Sequence, residues 1–254
     1  MSIAATPTRA LPAPPPLDLS RAALFADLDG TLAPIEATPD AVKPDGDRRR
    51  LLQALLRALG GRLAVISGRG LADLDRVLEK RVVAVAAVHG LVRRRADGEV
   101  LATAPPAKVE QAAERFRTFA LGDPHLLVED KGSAVALHYR QATSLEGACT
   151  ALADLLGAEL GLVIQKGDMV VELKAPGPDK GAAVRAFMAE APFAGYTPVY
   201  LGDDLTDEPA FRVAQALGGF GALVGSRRPT AALFGLPDVH ATRLWLARAV
   251  ERRA

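Results

Sequence analysis

The stretch "LFADLDGTLAPI", Leu24 to Ile35, ends an apolar run in two aspartates one residue apart, Asp27 and Asp29. The run "AALFAD" (22–27) has the length and character of a buried strand. Outward from it the same pattern returns. "RLAVIS" (62–67), "VVAVAAV" (82–88), "PVYLGD" (198–203) and "GALVG" (221–225) are further short apolar strands. Helical spacing of apolar residues separates them, in "GLADLDRVLEK" (70–80), "KGAAVRAFMAE" (180–190) and "TDEPAFRVAQALG" (206–218). "PDGDRRRLLQALLRAL" (44–59) is predicted as a helix with Asp47 as its cap, stopped by Gly60-Gly61, and "ATRLWLARAVERR" as a closing helix with Trp245 in the core. Such alternation predicts a doubly wound α/β fold, a Rossmann-like parallel sheet covered on both faces.

Between "TAPPA" (103–107) and "KAPGPDK" (174–180) the order changes to helix, two strands, helix, two strands. Paired strands beside helices predict an antiparallel sheet with helices on one face. Proline-rich crossings bracket the segment, as at interdomain connections. The expected organisation is a leader over 1–19, a core over 20–104 and 177–254, and an inserted α+β cap over 105–176.

Composition narrows the function classes. The chain has 254 residues, 49% of them apolar, and a net charge of +1, so no strong field favours nucleic acid or an anionic membrane. No apolar run has the length of a membrane span, and "MSIAATPTRALPAPPPLD" lacks the basic start and apolar core of a signal peptide. Its Pro and Ala content predicts a mobile extended leader, with folding starting near Ser20. The single cysteine, Cys149, forms no internal disulfide and fits a reducing, cytoplasmic setting; its place in a helix marks it as a small core residue.

In open parallel sheets ligands bind beyond the carboxyl ends of the strands. Asp27 and Asp29, Ser67 and Arg69, His89, and "GDDLTDE" (202–208) all follow strands, and Lys180 opens a helix. Carboxylates at Asp27 and Asp203 suit a small hard cation such as Mg²⁺, while Gly30, Ser67, Gly68 and Lys180 offer donors to phosphate oxygens. The bland alternatives are a solvated Asp-Gly turn and an acidic helix start at Thr206, Asp207 and Glu208.

The ordered motifs "DLDGT", "SGR", "KG" and "GDDLTD" resemble those of the haloacid dehalogenase superfamily of phosphatases. That resemblance implies Asp27 as nucleophile, Asp29 as acid and base, and Thr31, Ser67 and Gly68 at the phosphoryl group, with Lys180 steadying its charge. It further implies Mg²⁺ between Asp27, the backbone carbonyl of Asp29, and Asp203, with Asp204 and Asp207 close behind. "VHG", "EDKGSAVALHYR" and "KGDMVVELK" sharpen it to the trehalose-6-phosphate phosphatase family, across roughly residues 20 to 254. A sugar phosphate is then the implied substrate, a trehalose-6-phosphate synthase the pathway link, and a monomer the implied state.

For the sugar, the cap and rim candidates are Arg69, His89, Gly90, Glu129, Lys131, His138, Arg140 and Glu172. Strand alternation puts His138 and Arg140 on one face and Val135, Leu137 and Tyr139 on the other, and likewise separates Glu172 and Lys174 from Val171 and Leu173. His89 is as open to a structural role as to ligand contact, and His125 and His240 are expected in solvent. Two positions depart from the family pattern around "VHG": Ala87 stands for a glycine and Val92 for an acid. Phosphatases of sucrose 6-phosphate or mannosyl-3-phosphoglycerate, a phosphosugar mutase and an idle sugar-phosphate sensor remain alternatives.

Overall fold

The computed structural model describes residues 11–102, 107–167, 169–226 and 229–252. Its strands are β1 (Ala22–Ala26), β2 (Leu63–Ile66), β3 (Val85–Ala87), β4 (Val92–Arg94), β5 (Val100–Ala102), β6 (Leu127–Asp130), β7 (Ala134–His138), β8 (Val163–Gly167), β9 (Val170–Lys174), β10 (Thr197–Gly202), β11 (Phe220–Val224) and β12 (Phe234–Leu236). Its helices are α1 (Gly46–Ala58), α2 (Leu71–Val77), α3 (Ala107–Ala120), α4 (Glu146–Leu160), α5 (Lys180–Met188), α6 (Glu208–Ala216) and α7 (Val239–Glu251).

The larger sheet runs β12-β11-β10-β1-β2-β3-β4-β5. Pairing is parallel from β12 through to β3. The chain winds from β1 toward β3 on one side and, after the second sheet, from β10 toward β12 on the other. β1 and β10 therefore flank the point where strand order reverses, the place where open α/β sheets bind ligands. The strands are buried on both faces, which is why they read as unbroken apolar runs. One face packs against α1, α2 and α7 through Leu52, Leu55, Leu74 and Leu246. The opposite face packs against α5 and α6 through Val184, Phe187 and Phe211.

The smaller sheet, β6-β7-β9-β8, is antiparallel, with α3 and α4 on one face. Val135, Leu137, Val171 and Leu173 pack there against Val109, Phe116, Cys149 and Leu156. The alternation expected for β7 and β9, and the buried Cys149, are as observed. Register then builds a polar row on the free face, where Glu129 pairs with Ala136, Ala136 with Glu172, and Glu172 with Gln165.

Several expectations need correction. Helix α1 is capped by Asp45, whose carboxylate accepts from the N–H groups of Asp47 and Arg48; Asp47 lies inside the first turn. The leader is packed from residue 11 onward, with residues 1–10 outside the described residues. Leu17 and Leu19 are buried in the core, Arg62 donates to the carbonyls of Leu19 and Ala22, and Trp245 Nε1 donates to Pro15 O at 3.1 Å. Trp245 is accordingly half-buried against the core rather than within it.

The third strand is short because Val88 and His89 turn into left-handed backbone after Ala87. A hairpin of β4 and β5 follows and makes the sheet mixed. Three-residue strands carrying Arg93 and Arg94 show no apolar period, although Asp97-Gly98 is a hairpin turn signal. β7 stops at His138, so Arg140 sits in the turn beyond it and takes its direction from that turn, not from alternation. The expected boundary at 104/105 falls outside the described residues. No described helix is long and apolar enough to cross a membrane.

Candidate active site

The loops after β1 and β10 bring Asp27 and Asp203 together from positions 176 residues apart, because the two strands are adjacent partners. Gly30 makes the approach possible. It adopts φ +71°, and a Cβ there would lie 2.1 Å from Asp203 Oδ2. The buried Thr31 hydroxyl donates to Asp203 Oδ1 at 3.4 Å.

Lys180, at the start of α5 and 1% exposed, lies between two carboxylates. Its Nζ donates to Asp27 Oδ2 at 2.6 Å and to Asp207 Oδ1 at 2.8 Å. Asp27 Oδ1 accepts from its neighbour's N–H, Leu28, at 2.6 Å. Asp207 is wholly buried and saturated. Besides Lys180, Oδ1 takes the Tyr200 hydroxyl at 2.6 Å, and Oδ2 takes the N–H groups of Asp203 and Asp204, each at 2.9 Å. Asp204 caps the same turn in a reciprocal box with Asp207.

Oxygens of Asp27, Asp203 and Asp207 lie within 4.8 Å of one another. Three carboxylates there share one ammonium. Burial, above all, pushes Asp27 up, with Asp207 and Asp29 adding to it and Lys180 opposing. Burial and then Asp27 push Asp203 up in the same way. Lys180 moves oppositely: burial disfavours its charge, but Asp207 and Asp27 hold it firmly protonated. Surplus negative charge on hard oxygen donors fits a divalent cation of the magnesium class, which would bring both raised carboxyls back to ionised form. The full set of bonds on Asp207 makes it a support for that site rather than a ligand in it.

Asp29 is engaged differently. Arg69 forks onto it, Nε to Oδ2 at 2.6 Å and Nη2 to Oδ1 at 2.8 Å, and its remaining arm reaches Asp73 and the Pro39 carbonyl. Arg69, a candidate for the sugar, lines the cleft with its buried guanidinium bonded to Asp29 and to α2. Ser67, also buried, follows β2 and accepts from Arg69 N at 3.3 Å.

These groups line the bottom of one cleft, whose roof is the free face of the smaller sheet. Asp27, Asp29, Ser67, Gly68, Arg69, His89, Lys180, Asp203 and Asp204 line it from below, and Glu129, Lys131, His138, Arg140 and Glu172 from above. Thr31, Gly90 and Asp207 lie behind the lining, buried. In the roof Lys131 Nζ donates to Glu172 Oε2 at 2.6 Å, and His138 Nε2 meets Glu129 Oε2 at 2.9 Å. Burial works against the charge on Glu172, yet Lys131 and His89 hold it well below the usual carboxylate range.

His89 joins roof and floor. Its ring lies against Gly68, and Nε2 is 2.8 Å from Gln165 Nε2 and 3.5 Å from Glu172 Oε1. Burial lowers its pKa, against the pull of Glu172. His89 Nδ1 and Glu172 Oε1 are buried with no hydrogen-bond partner among the described residues. His125 and His240 are exposed, as expected. Two participants escaped the sequence reading. Gln165 was legible from strand parity, since it shares the face of Glu172; Tyr200 was masked as one more apolar member of β10.

The trehalose-phosphatase family model matches residues 25–239. The chain is 42% identical over 221 residues to trehalose-6-phosphate phosphatase of Escherichia coli, covering 85% of this chain and 83% of that protein. It is 38% identical over 229 residues to the probable trehalose-phosphate phosphatase of Sinorhizobium fredii, covering 89% and 86%. Its fold is that of the C-terminal domain of C. albicans trehalose-6-phosphate phosphatase, at TM-score 0.79 and 22% identity over 95% of this chain and 98% of that one. The chain therefore belongs to the trehalose-phosphatase family of phosphomonoester hydrolases.

Proposed function

We propose that this chain hydrolyses trehalose 6-phosphate to trehalose and phosphate through an aspartyl-phosphate at Asp27, with Mg²⁺ as cofactor. The observation that carries this is Asp27 paired with Lys180 beside Asp203, at the floor of a cleft roofed by polar side chains. Asp27 presents a carboxylate oxygen to phosphorus, and Lys180 and Ser67 face the charge that spreads over the equatorial oxygens. Mg²⁺, held by Asp27, the Asp29 carbonyl and Asp203, would supply charge neutralisation and fix the phosphoryl group. Asp29 protonates the leaving sugar oxygen and then takes a proton from the hydrolytic water, which requires it to give up part of the Arg69 fork.

The roof supports a polyhydroxyl ligand. Glu129, Lys131, His138 and Glu172 form a dense set of donors and acceptors, and the orphaned His89 Nδ1 and Glu172 Oε1 are costly unless a ligand satisfies them. A trehalose-6-phosphate synthase is, on this reading, the source of the substrate. Purified protein with Mg²⁺ should release phosphate from trehalose 6-phosphate faster than from sucrose 6-phosphate, mannosyl-3-phosphoglycerate or glucose 6-phosphate. Preference for any of the other three would sink the substrate assignment.

Asp203→Asn tests the metal site with two readouts. It removes one of three clustered, mutually repelling carboxylates, so without metal the melting temperature should hold or rise. The Mg²⁺ concentration for half-maximal activity should increase at least tenfold, and the Mg²⁺-induced rise in melting temperature should shrink. Unchanged Mg²⁺ titrations would remove Asp203 from the ligand set.

A further inference from the structure

We infer that Tyr200 is a positioning residue for this site: its hydroxyl fixes Asp207, and Asp207 in turn holds Lys180 and the loop that carries Asp203. The phosphatase reading enters only in what Lys180 and Asp203 do once they are placed.

Three observations carry it. First, the ring of Tyr200 needs no hydroxyl. It is fully buried in the apolar layer beneath α6, edge-on to Phe211 with centroids 5.6 Å apart, a setting that phenylalanine would fill equally. A buried hydroxyl is unfavourable there unless it is hydrogen-bonded, and its 2.6 Å bond goes to Asp207 Oδ1. Second, Asp207 acts as a hub. One oxygen joins Tyr200 to Lys180, and the other receives the Asp203 and Asp204 N–H groups, so one carboxylate orients both the cation beside Asp27 and the backbone of the candidate metal ligand. Third, the chain leaves room for this hub. Gly202 is the last residue of β10, and a Cβ there would lie 2.3 Å from Asp207 Cγ. Tyr200 itself does not line the cleft.

The geometry makes Tyr200 a tether. Without its hydroxyl, Asp207 Oδ1 is held by Lys180 alone, and the carboxylate can pivot about its two backbone bonds. Partners behind a metal ligand typically change metal affinity or activity by about 10- to 100-fold when removed.

Tyr200→Phe is the test, with Phe211→Leu as a control that disturbs the same apolar layer without touching Asp207. Mg²⁺ affinity is measured by calorimetry on substrate-free protein, well below the melting temperature of each variant. Tyr200→Phe should weaken Mg²⁺ binding by about 10- to 100-fold and lower kcat on trehalose 6-phosphate, with KM for the sugar phosphate within about twofold. Phe211→Leu should lower the melting temperature and leave Mg²⁺ affinity unchanged. Unaltered Mg²⁺ affinity in Tyr200→Phe would overturn the assignment, as would an equal loss in Phe211→Leu, which would make it general loosening. If wild-type protein binds Mg²⁺ but leaves trehalose 6-phosphate intact, the substrate assignment falls while the Mg²⁺ comparison still decides the role of Tyr200.

Discussion

Asp27→Asn is expected to abolish phosphate release, by at least about 10³-fold in kcat, while leaving the fold intact. The amide oxygen of asparagine still accepts from Leu28 N, so the strand end keeps its local bond. Loss of one buried carboxylate also removes repulsion from Asp203 and Asp207, which offsets the lost contact to Lys180. The nucleophilic oxygen is gone, and Asp207, the other carboxylate that joins Lys180 to Asp203, lies behind the cleft lining and cannot replace it. Single-turnover assays with the circular dichroism melting curve of the same sample check both halves. Retained turnover at more than a tenth of the wild-type rate would refute Asp27 as nucleophile.

Lys180→Met should damage both stability and catalysis. The side chain is nearly the size of lysine, so little cavity forms, but Asp27 and Asp207 are left buried without their cation. Breaking a buried pair by removing one partner costs about 3–5 kcal/mol, roughly a 10 °C fall in melting temperature for a chain of this size. The pH dependence gives the sign. Burial raises the Asp27 pKa to about 7 even against Lys180, the chief influence that lowers it. Without Lys180 that pKa rises further. A carboxyl with a raised folded-state pKa favours the fold at low pH, and the benefit is lost as pH rises through that pKa. The deficit of the variant should thus open as pH rises through about 7, where wild-type Asp27 ionises, be largest above it and shrink in acid. A deficit independent of pH would mean that the lysine acts through packing alone. Catalysis should fall together with stability, because in the proposed mechanism the same ammonium faces the developing charge on the phosphoryl group.

Much of the architecture was legible because the physics was local. Apolar runs of strand length, helical leucine spacing and Pro-rich crossings gave the order of layers, and parity along β7 and β9 separated core from cleft. What escaped lay where local pattern is weak or where the partner is distant. The β4–β5 hairpin is too short to show a period, and the leader looked like a linker because nothing in its own composition reveals the groove that receives Leu17 and Leu19. The bonds of Arg69 were out of reach because its motif names a residue type and not its partner; only the fold puts Asp29 and Asp73 around it.

From the chain alone follow the candidate reacting groups and the element ends they occupy. Asp27, Asp29, Lys180 and Asp203 stand at the ends of regular elements, where backbone geometry leaves few directions for a side chain. Their division of labour comes from folding. Proximity of β1 to β10 crowds Asp203 against Asp27, saturation makes Asp207 a hub, and the Arg69 fork holds Asp29 aside. Charges far apart in the chain acquire their energies only when burial removes water between them, so their roles depend on the tertiary contacts that no motif contains.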